Sequence, residues 1–303
     1  MLAARRSKPL RGAPQVARRG YDGVVELAEP LTTGWRAELA LGFERRGARS
    51  VLAARRHDGP LEVQKPLYPE GEGVCHAIVL HPPGGIAGGD ELEISARVGE
   101  GAHALLTTPG AGKWYRSAGA WARQSIGFEV ARGACLEWLP QETIVFDGAL
   151  AEMRTEVRLE RGARFIGWEI LCLGRTGSGE RFARGACRLA TGIERDGGML
   201  WHERGRIEGG SAMLDSPAGL GGQPVAGTLL AAAPSIDDSV LAACRELHPA
   251  AGEGAVTRLP GLLVARYVGA SSEPARNWFI ALWRVLRPAL LGREAIEPRI
   301  WRT

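Results

Sequence analysis

The sequence predicts a mainly β chain: stacked β-sheet or β-solenoid-like layers with a small C-terminal helical part. Three observations carry this. Apolar and polar residues alternate with period two over the first two-thirds of the chain. A Gly-Ala pattern returns about every 30 residues, as stacked strand layers require. Helical spacing is confined to two late segments, without the strand–helix alternation of a doubly wound fold. The 42 glycines and 18 prolines among 303 residues are spread along the chain and suit frequent turns between short elements.

Six basic residues (Arg5, Arg6, Lys8, Arg11, Arg18 and Arg19) precede the first acidic one, Asp22. Pro9, Arg11, Gly12 and Pro14 interrupt any apolar signal core behind Arg5-Arg6, so residues 1–20 read as a disordered, solvated basic tail. Residues 21–303 then form one β-rich domain. In "WRAELALGFERRG", Trp35, Ala37, Leu39, Leu41 and Phe43 fall on one strand face, as do Leu92, Ile94, Ala96 and Val98 in "LEISARV". "GVCHAIVLH" is apolar on both faces, the mark of a buried strand.

The echo follows in "VGEGAHALLTTPG", "VARGACLEWLPQE" and "LERGARFIGWEI". Their Gly-Ala glycines, 101, 133 and 162, are 32 and 29 residues apart. "FARGACRL", with Gly185, is a weaker fourth copy. A plain antiparallel sheet with similar turns is the alternative. Helices are expected near 236–248 and 275–291. The first opens with a capping-box pair, Ser235 and Asp238. The second carries Phe279, Leu282, Trp283, Leu286 and Leu290 on one stripe, with Arg284 and Arg287 off it. That stripe either packs on its own body or forms a docking helix for a partner.

Composition bounds the function. With 45% apolar residues, 24% charged residues and a net charge of +4, the body without its tail is close to neutral, which argues against a nucleic-acid partner. No run approaches the roughly 18 apolar residues of a membrane span. Cysteines 75, 135, 172, 187 and 244 form no C-x-x-C pair and read as reduced thiols of a cytoplasmic protein.

The loop "HPPGGIAGGD" invites a phosphate-cradling reading. Its glycines, 84, 85, 88 and 89, have the wrong spacing for a dinucleotide fingerprint, and the strand-like "DELEISARV" follows instead of a helix. A wide turn using glycine for positive φ and close approach is the better reading. "TPGAGKWYRS" fails as a P-loop, because Thr107 stands where a glycine is needed and Trp114 where Ser or Thr is needed. Cys75 and His81 share a strand face but lie roughly 20 Å apart at about 3.3 Å per residue, and His76 points the other way, so these three cannot close a metal site. Glu142, Asp147 and Glu169 sit in strand-rich apolar text, where carboxylates either line a cavity or reach solvent at an edge. They leave open a β-solenoid hydrolase or lyase acting on carbohydrate.

Five stretches together resemble the UreD (UreH) family of urease accessory proteins: "PLEVQKPLYPEG", "CHAIVLHPPGGIAGGDELEI", "LLTTPGAGKWYRS", "LEWLPQETIVFDGA" and "LCLGR…GERF". They cover roughly residues 35–210, in the family's order. The resemblance implies a non-enzymatic scaffold, a β-rich stack with a short helical part, that binds apo-urease and the complex of UreF with the GTPase UreG. It implies nickel in transit and no stably bound cofactor, with family members proposed to carry the metal through an internal water-filled passage. By that analogy Glu142 and Glu169 are expected to line the passage, with Asp90 a weaker candidate. His81, Pro82, Pro83, Gly84, Gly85, Gly88 and Gly89 become a family-marker loop and contact surface. The Arg-rich N-terminus is the main departure from the family pattern.

Overall fold

Strands that alternate in burial stack best when each lays its apolar phase over the same phase of its neighbour, and the fold is built this way. The structure, a computed structural model, describes residues 34–302. The basic tail expected over 1–20 and the first residues of the domain expected over 21–303 lie outside the described residues.

In chain order the first strands are β1 (Arg36–Arg46), β2 (Arg49–Asp58), β3 (Cys75–Ile78), β4 (Glu91–Val98), β5 (His103–Thr107), β6 (Gly112–Trp114), β7 (Ala122–Val130) and β8 (Cys135–Trp138). They are followed by β9 (Thr143–Val145), β10 (Leu150–Leu159), β11 (Arg164–Leu173), β12 (Ala186–Arg195) and β13 (Gly198–Glu208). A short helix α1 (Ala212–Asp215) leads to β14 (Val225–Ala232), α2 (Asp238–Arg245), β15 (Glu253–Leu259), β16 (Leu262–Gly269) and α3 (Ser272–Leu291).

Two sheets result. The first runs β13-β12-β10-β7-β4-β1-β2, parallel at its centre and closed by an antiparallel pair at each edge. The second runs β15-β16-β14-β11-β8-β5-β3, with β6 and β9 joined to its β11 side. The chain crosses from first to second sheet at Gly101, Gly133 and Gly162, all at positive φ, which is the conformation glycine adopts without a Cβ penalty. The register repeats the sequence echo: Glu91 pairs with Arg123, an offset of 32, and Ala122 with Ala151, an offset of 29. These are solenoid rungs. Gly185 is a correction, because it precedes β12 at a different corner, packed on the Ala149 backbone, where the chain returns from the second sheet to the first and does not cross from first to second.

Between the sheets the inward phases of β1, β4, β7 and β10 form one apolar core, with Leu39, Phe43, Ile94, Phe128 and Val157 buried. Trp35, read as part of that face, lies outside β1 and is exposed. The outer face of the first sheet carries exposed Arg–Glu pairs across strands, such as Arg97–Glu129 and Arg123–Glu91, each worth little in water.

A second apolar core lies between the outward phase of the second sheet and the helices. Phe279, Leu282, Trp283 and Leu286 are all fully buried there, so the stripe packs on its own body and offers no open docking face. Arg287, read as lying off the stripe, is also buried. It reaches Glu137 and Glu70 beneath the helix. α2 is shorter than expected and Ser235 does not cap it. Asp237 occupies the N-cap, while Arg258 holds the preceding chain extended through the Ile236 carbonyl and pairs with Asp238.

Candidate functional site

Period-two strands put every second side chain between the sheets, so a polar residue in the inward phase either finds a partner or lines a space. A cavity of ≈ 610 Å³ lies there. Its walls are mostly apolar, from Leu92, Ile94, Ile126 and Met153 of the first sheet and Trp138, Phe165 and Leu171 of the second. Its lining includes exposed residues, among them Lys113, Met213 and Arg266.

Of the carboxylates singled out in the sequence, the structure brings Glu142 and Glu169 to this cavity and leaves Asp90 and Asp147 off its lining. Glu142 follows β8 in the Pro140–Gln141–Glu142 connection, which is pinned from three sides. Trp168 Nε1 donates to the Pro140 carbonyl, the Gln141 amide donates to Thr108, and the Gly112 amide donates to the Glu142 carbonyl. The Glu142 side chain is held by Arg276 of α3, whose Nη1 lies 2.8 Å from Glu142 Oε1 and 2.9 Å from the Gln141 amide oxygen.

Glu169 differs. It sits in mid-strand on β11, in the inward phase shared with Phe165, Gly167 and Leu171, and no hydrogen bond or ion pair holds its carboxyl among the described residues. Its half-buried surface faces the cavity. Burial pushes its pKa up to about 7, and the nearby Glu203 carboxylate adds to the rise. Glu203 itself is anchored at the exposed end of the cavity. Arg266 Nη2 donates to it over 2.7 Å, linking β13 of one sheet to β16 of the other.

Asp90 and Asp147 serve the backbone. Asp90 accepts the Trp35 and Ala87 amides at 2.8 and 2.7 Å, which closes the turn that precedes β4. Asp147 accepts the Ala183 and Arg184 amides and pairs with the Arg184 guanidinium at 2.6 Å; these bonds hold it below the usual carboxylate range. Of the acid–base set considered from sequence, Glu142 and Asp147 each hold an arginine, and Glu169 has no side-chain partner among the described residues.

The loop His81–Asp90 forms the expected turn. Gly84 and Gly89 have φ of +74° and +97°, and a Cβ at Gly85 would stand 2.1 Å from the Tyr115 ring. His81, Gly84 and Gly85 line the cavity near Lys113, whereas Pro82, Pro83, Gly88 and Gly89 do not. Burial lowers the His81 pKa, with Asp90 opposing. Cys75 is buried, and His76 is engaged by Glu70 at 2.6 Å. Among the described residues no three His, Cys, Asp or Glu side chains stand together as a metal site.

Sequence reading missed Gln124, Thr155, Thr191, Glu203, Thr228 and Arg266, all of which line the cavity. It also missed the buried set around Glu137. That carboxylate accepts from Trp283 Nε1 and Arg287 Nε and meets His103 Nε2 at 2.7 Å, while Arg287 also bonds Glu70. The available signal was a polar residue in the apolar phase of a strand, as with Gln124 in "ARQSIGFEV".

Comparison with known proteins places this geometry. The family described as "UreD urease accessory protein" matches residues 36–302. A urease accessory protein UreD of Azoarcus sp. (strain BH72) is 62% identical over 270 residues, 89% of this chain and 95% of the relative. That of Dechloromonas aromatica (strain RCB) is 59% identical over 273 residues, again 89% and 95%. The Pseudomonas aeruginosa PAO1 protein of the same name is 54% identical over 270 residues, with the same coverage.

Proposed function

Because the chain belongs to the UreD family of urease accessory proteins and so has a role in urease maturation, we propose that it is a scaffold rather than an enzyme. In this reading it binds apo-urease together with UreF and the GTPase UreG, and supports insertion of nickel, which passes along the cavity between the sheets as cargo. The observation that carries the reading is the cavity itself. It is lined in part by exposed residues, has Glu142 and Glu169 on its wall, and holds one carboxyl that no arginine neutralises.

The absence of phosphate-loop spacing in the glycine-rich turns agrees with nucleotide hydrolysis belonging to a partner. The cytoplasm is the proposed compartment, in keeping with five buried free thiols. No helix among the described residues is long and apolar enough to cross a membrane.

The test is co-expression with a urease operon, with and without this chain. The reading expects the chain to co-purify with UreF, UreG and urease, and expects its deletion to leave urease subunits expressed but poor in nickel. Normal nickel content after deletion would overturn it.

A further inference from the structure

An edge strand turns unpaired N–H and C=O groups outward, and folds usually cover or guard them. The two sheets end at β13, β2, β15 and β3, and the chain itself engages three of these edges. His76 of β3 exchanges both main-chain bonds with Leu67 at 2.9 Å, and Leu80 beyond it does the same with Glu62. β2 gives its Ser50 amide to the Glu72 carbonyl, and Arg55 ties Val63 and Gln64 against it. α2 packs on β15, where Arg245 Nε donates to the Val256 carbonyl. β13 is the exception. From Gly198 to Ile207 no main-chain group bonds anything but β12 among the described residues.

In an antiparallel ladder the main-chain groups of successive residues alternate between facing the partner strand and facing away. Just past the β12–β13 ladder the Gly209 amide donates to the Gly185 carbonyl. Odd-numbered positions from Glu203 to Ile207 therefore face β12, and His202, Arg204 and Arg206 turn both N–H and C=O outward. The Glu208 carbonyl, next in that series, is closed by the Ser211 amide. The three side chains share the exposed outer phase. Arg206 is paired with Glu208 at 2.7 Å, and the rows behind it hold the pairs Arg188–Glu152 and Arg154–Glu156. Arg204 has neither hydrogen bond nor ion pair among the described residues. The inner phase asks for no charge: Gly205 has no side chain, Ile207 is buried, and Glu203 is held by Arg266.

We propose that β13 docks an extended segment of a partner protein, added beside it as a further strand of the first sheet, with acidic residues at every second position. Main-chain bonds at His202, Arg204 and Arg206 supply the affinity, and their basic side chains select acidic residues directly across the new ladder. A second copy of this chain is the wrong occupant. Antiparallel pairing of β13 with itself about Arg204 sets Arg204 against Arg204 and His202 against Arg206, so like charges oppose each other along the seam. The inference stands apart from the nickel route, since it uses the outer edge of one sheet alone.

The test uses the full chain and, as probe, a blocked, dye-labelled octapeptide alternating glutamate and valine. Fluorescence anisotropy should show saturable binding that weakens with salt, and the bound peptide should slow amide exchange at His202, Arg204 and Arg206. Arg204→Lys should bind as the wild type does, whereas Arg204→Glu should weaken binding roughly tenfold or more. Arg204→Pro removes one outward N–H without taking a bond from β12, and it should block the added strand. Unchanged exchange along β12 shows that a variant is folded, and Arg204→Glu carries the decision should proline disturb the ladder. A peptide with lysine in place of glutamate should not bind. Absence of protection at the three amides under saturating glutamate peptide overturns the docking strand, as does full binding by Arg204→Glu. Wild-type self-association in sedimentation that Arg204→Glu changes would give the edge to a second copy and overturn the partner segment.

Discussion

Arg287 Nε on α3 lies 3.0 Å from Glu137 Oε2 on β8, and neither side chain is exposed to solvent. Glu70 takes the far end of the same guanidinium, and His103 and Trp283 complete the carboxylate. The C-terminal helix is thereby fastened to the second sheet by charge as well as by its apolar stripe.

Removing one partner leaves a buried, uncompensated charge. Arg287→Met is expected to cost roughly 3–5 kcal/mol, measured by urea unfolding. Adding Glu137→Gln should recover part of that loss, because the stranded carboxylate is then gone.

Acid should loosen the same junction. His76 and Arg287 hold the Glu70 pKa down to about 2 against the opposing effect of burial, and His103 and Arg287 likewise hold Glu137 below its usual range. Folded values below the unfolded one mean stabilisation that is complete above about pH 4.5 and is lost as pH falls toward 2. Indole fluorescence near Trp283 should shift in that window. Glu70→Gln should flatten the response there, and an unchanged acid profile would contradict the role given to Glu70.

Glu169 has the opposite sign. With its folded pKa raised to about 7, the native state holds a proton that the unfolded state releases near 4.5, so stability falls as pH rises between those values. Glu169→Gln should therefore raise the melting temperature at pH 8 and leave it nearly unchanged at pH 4. The gain is on the order of 2 kcal/mol, less than the full shift implies because the carboxyl is only half-buried.

Two glycines separate backbone strain from steric conflict. At Gly133 (φ +65°) an added Cβ meets nothing within 4 Å, whereas at Gly185 (φ +92°) it would stand 2.2 Å from the Ala149 carbonyl oxygen. Gly133→Ala should cost about 1–2 kcal/mol, and Gly185→Ala clearly more, by thermal unfolding of the two variants side by side.

All five thiols are buried and raised by burial, Cys172 to about 12 and Cys244 to about 11. Native protein at pH 8 should resist alkylation by iodoacetamide and accept it at every cysteine once unfolded. Mass spectrometry counts the labels.

Much of the fold could be read from the chain because in-register parallel stacking makes a sequence repeat equal to a ladder offset. Gly101, Gly133 and Gly162 could therefore be placed at equivalent corners from their spacing. Gly185 could not, since a Gly-Ala pair marks a turn without saying which turn. Glu142 and Glu169 were noticed as carboxylates in apolar text, but whether each had an arginine was invisible. Arg276 is 134 residues from Glu142 in sequence. Arg287 was misread for a related reason: helical spacing shows which residues share a face, and only the sheet beneath shows that carboxylates wait there. Gln124 and Thr155 were legible as breaks in phase and were missed because the surrounding alternation was otherwise so regular.

The second sheet is shared between two neighbours of opposite character. Odd-numbered positions of β11, such as Gly167, Glu169 and Leu171, face the cavity, while Ile166, Trp168 and Ile170 belong to the core beneath the helices. One inserted or deleted residue within this strand would exchange the two sets, sending Ile166 or Ile170 into the cavity and Glu169 against α3. Evolution can thus vary side chains along β11 but can change its length only beyond the strand ends. The three-residue difference between successive rungs, 32 against 29, has to be taken up in the connections, where chain is free to lengthen without turning the wall inside out.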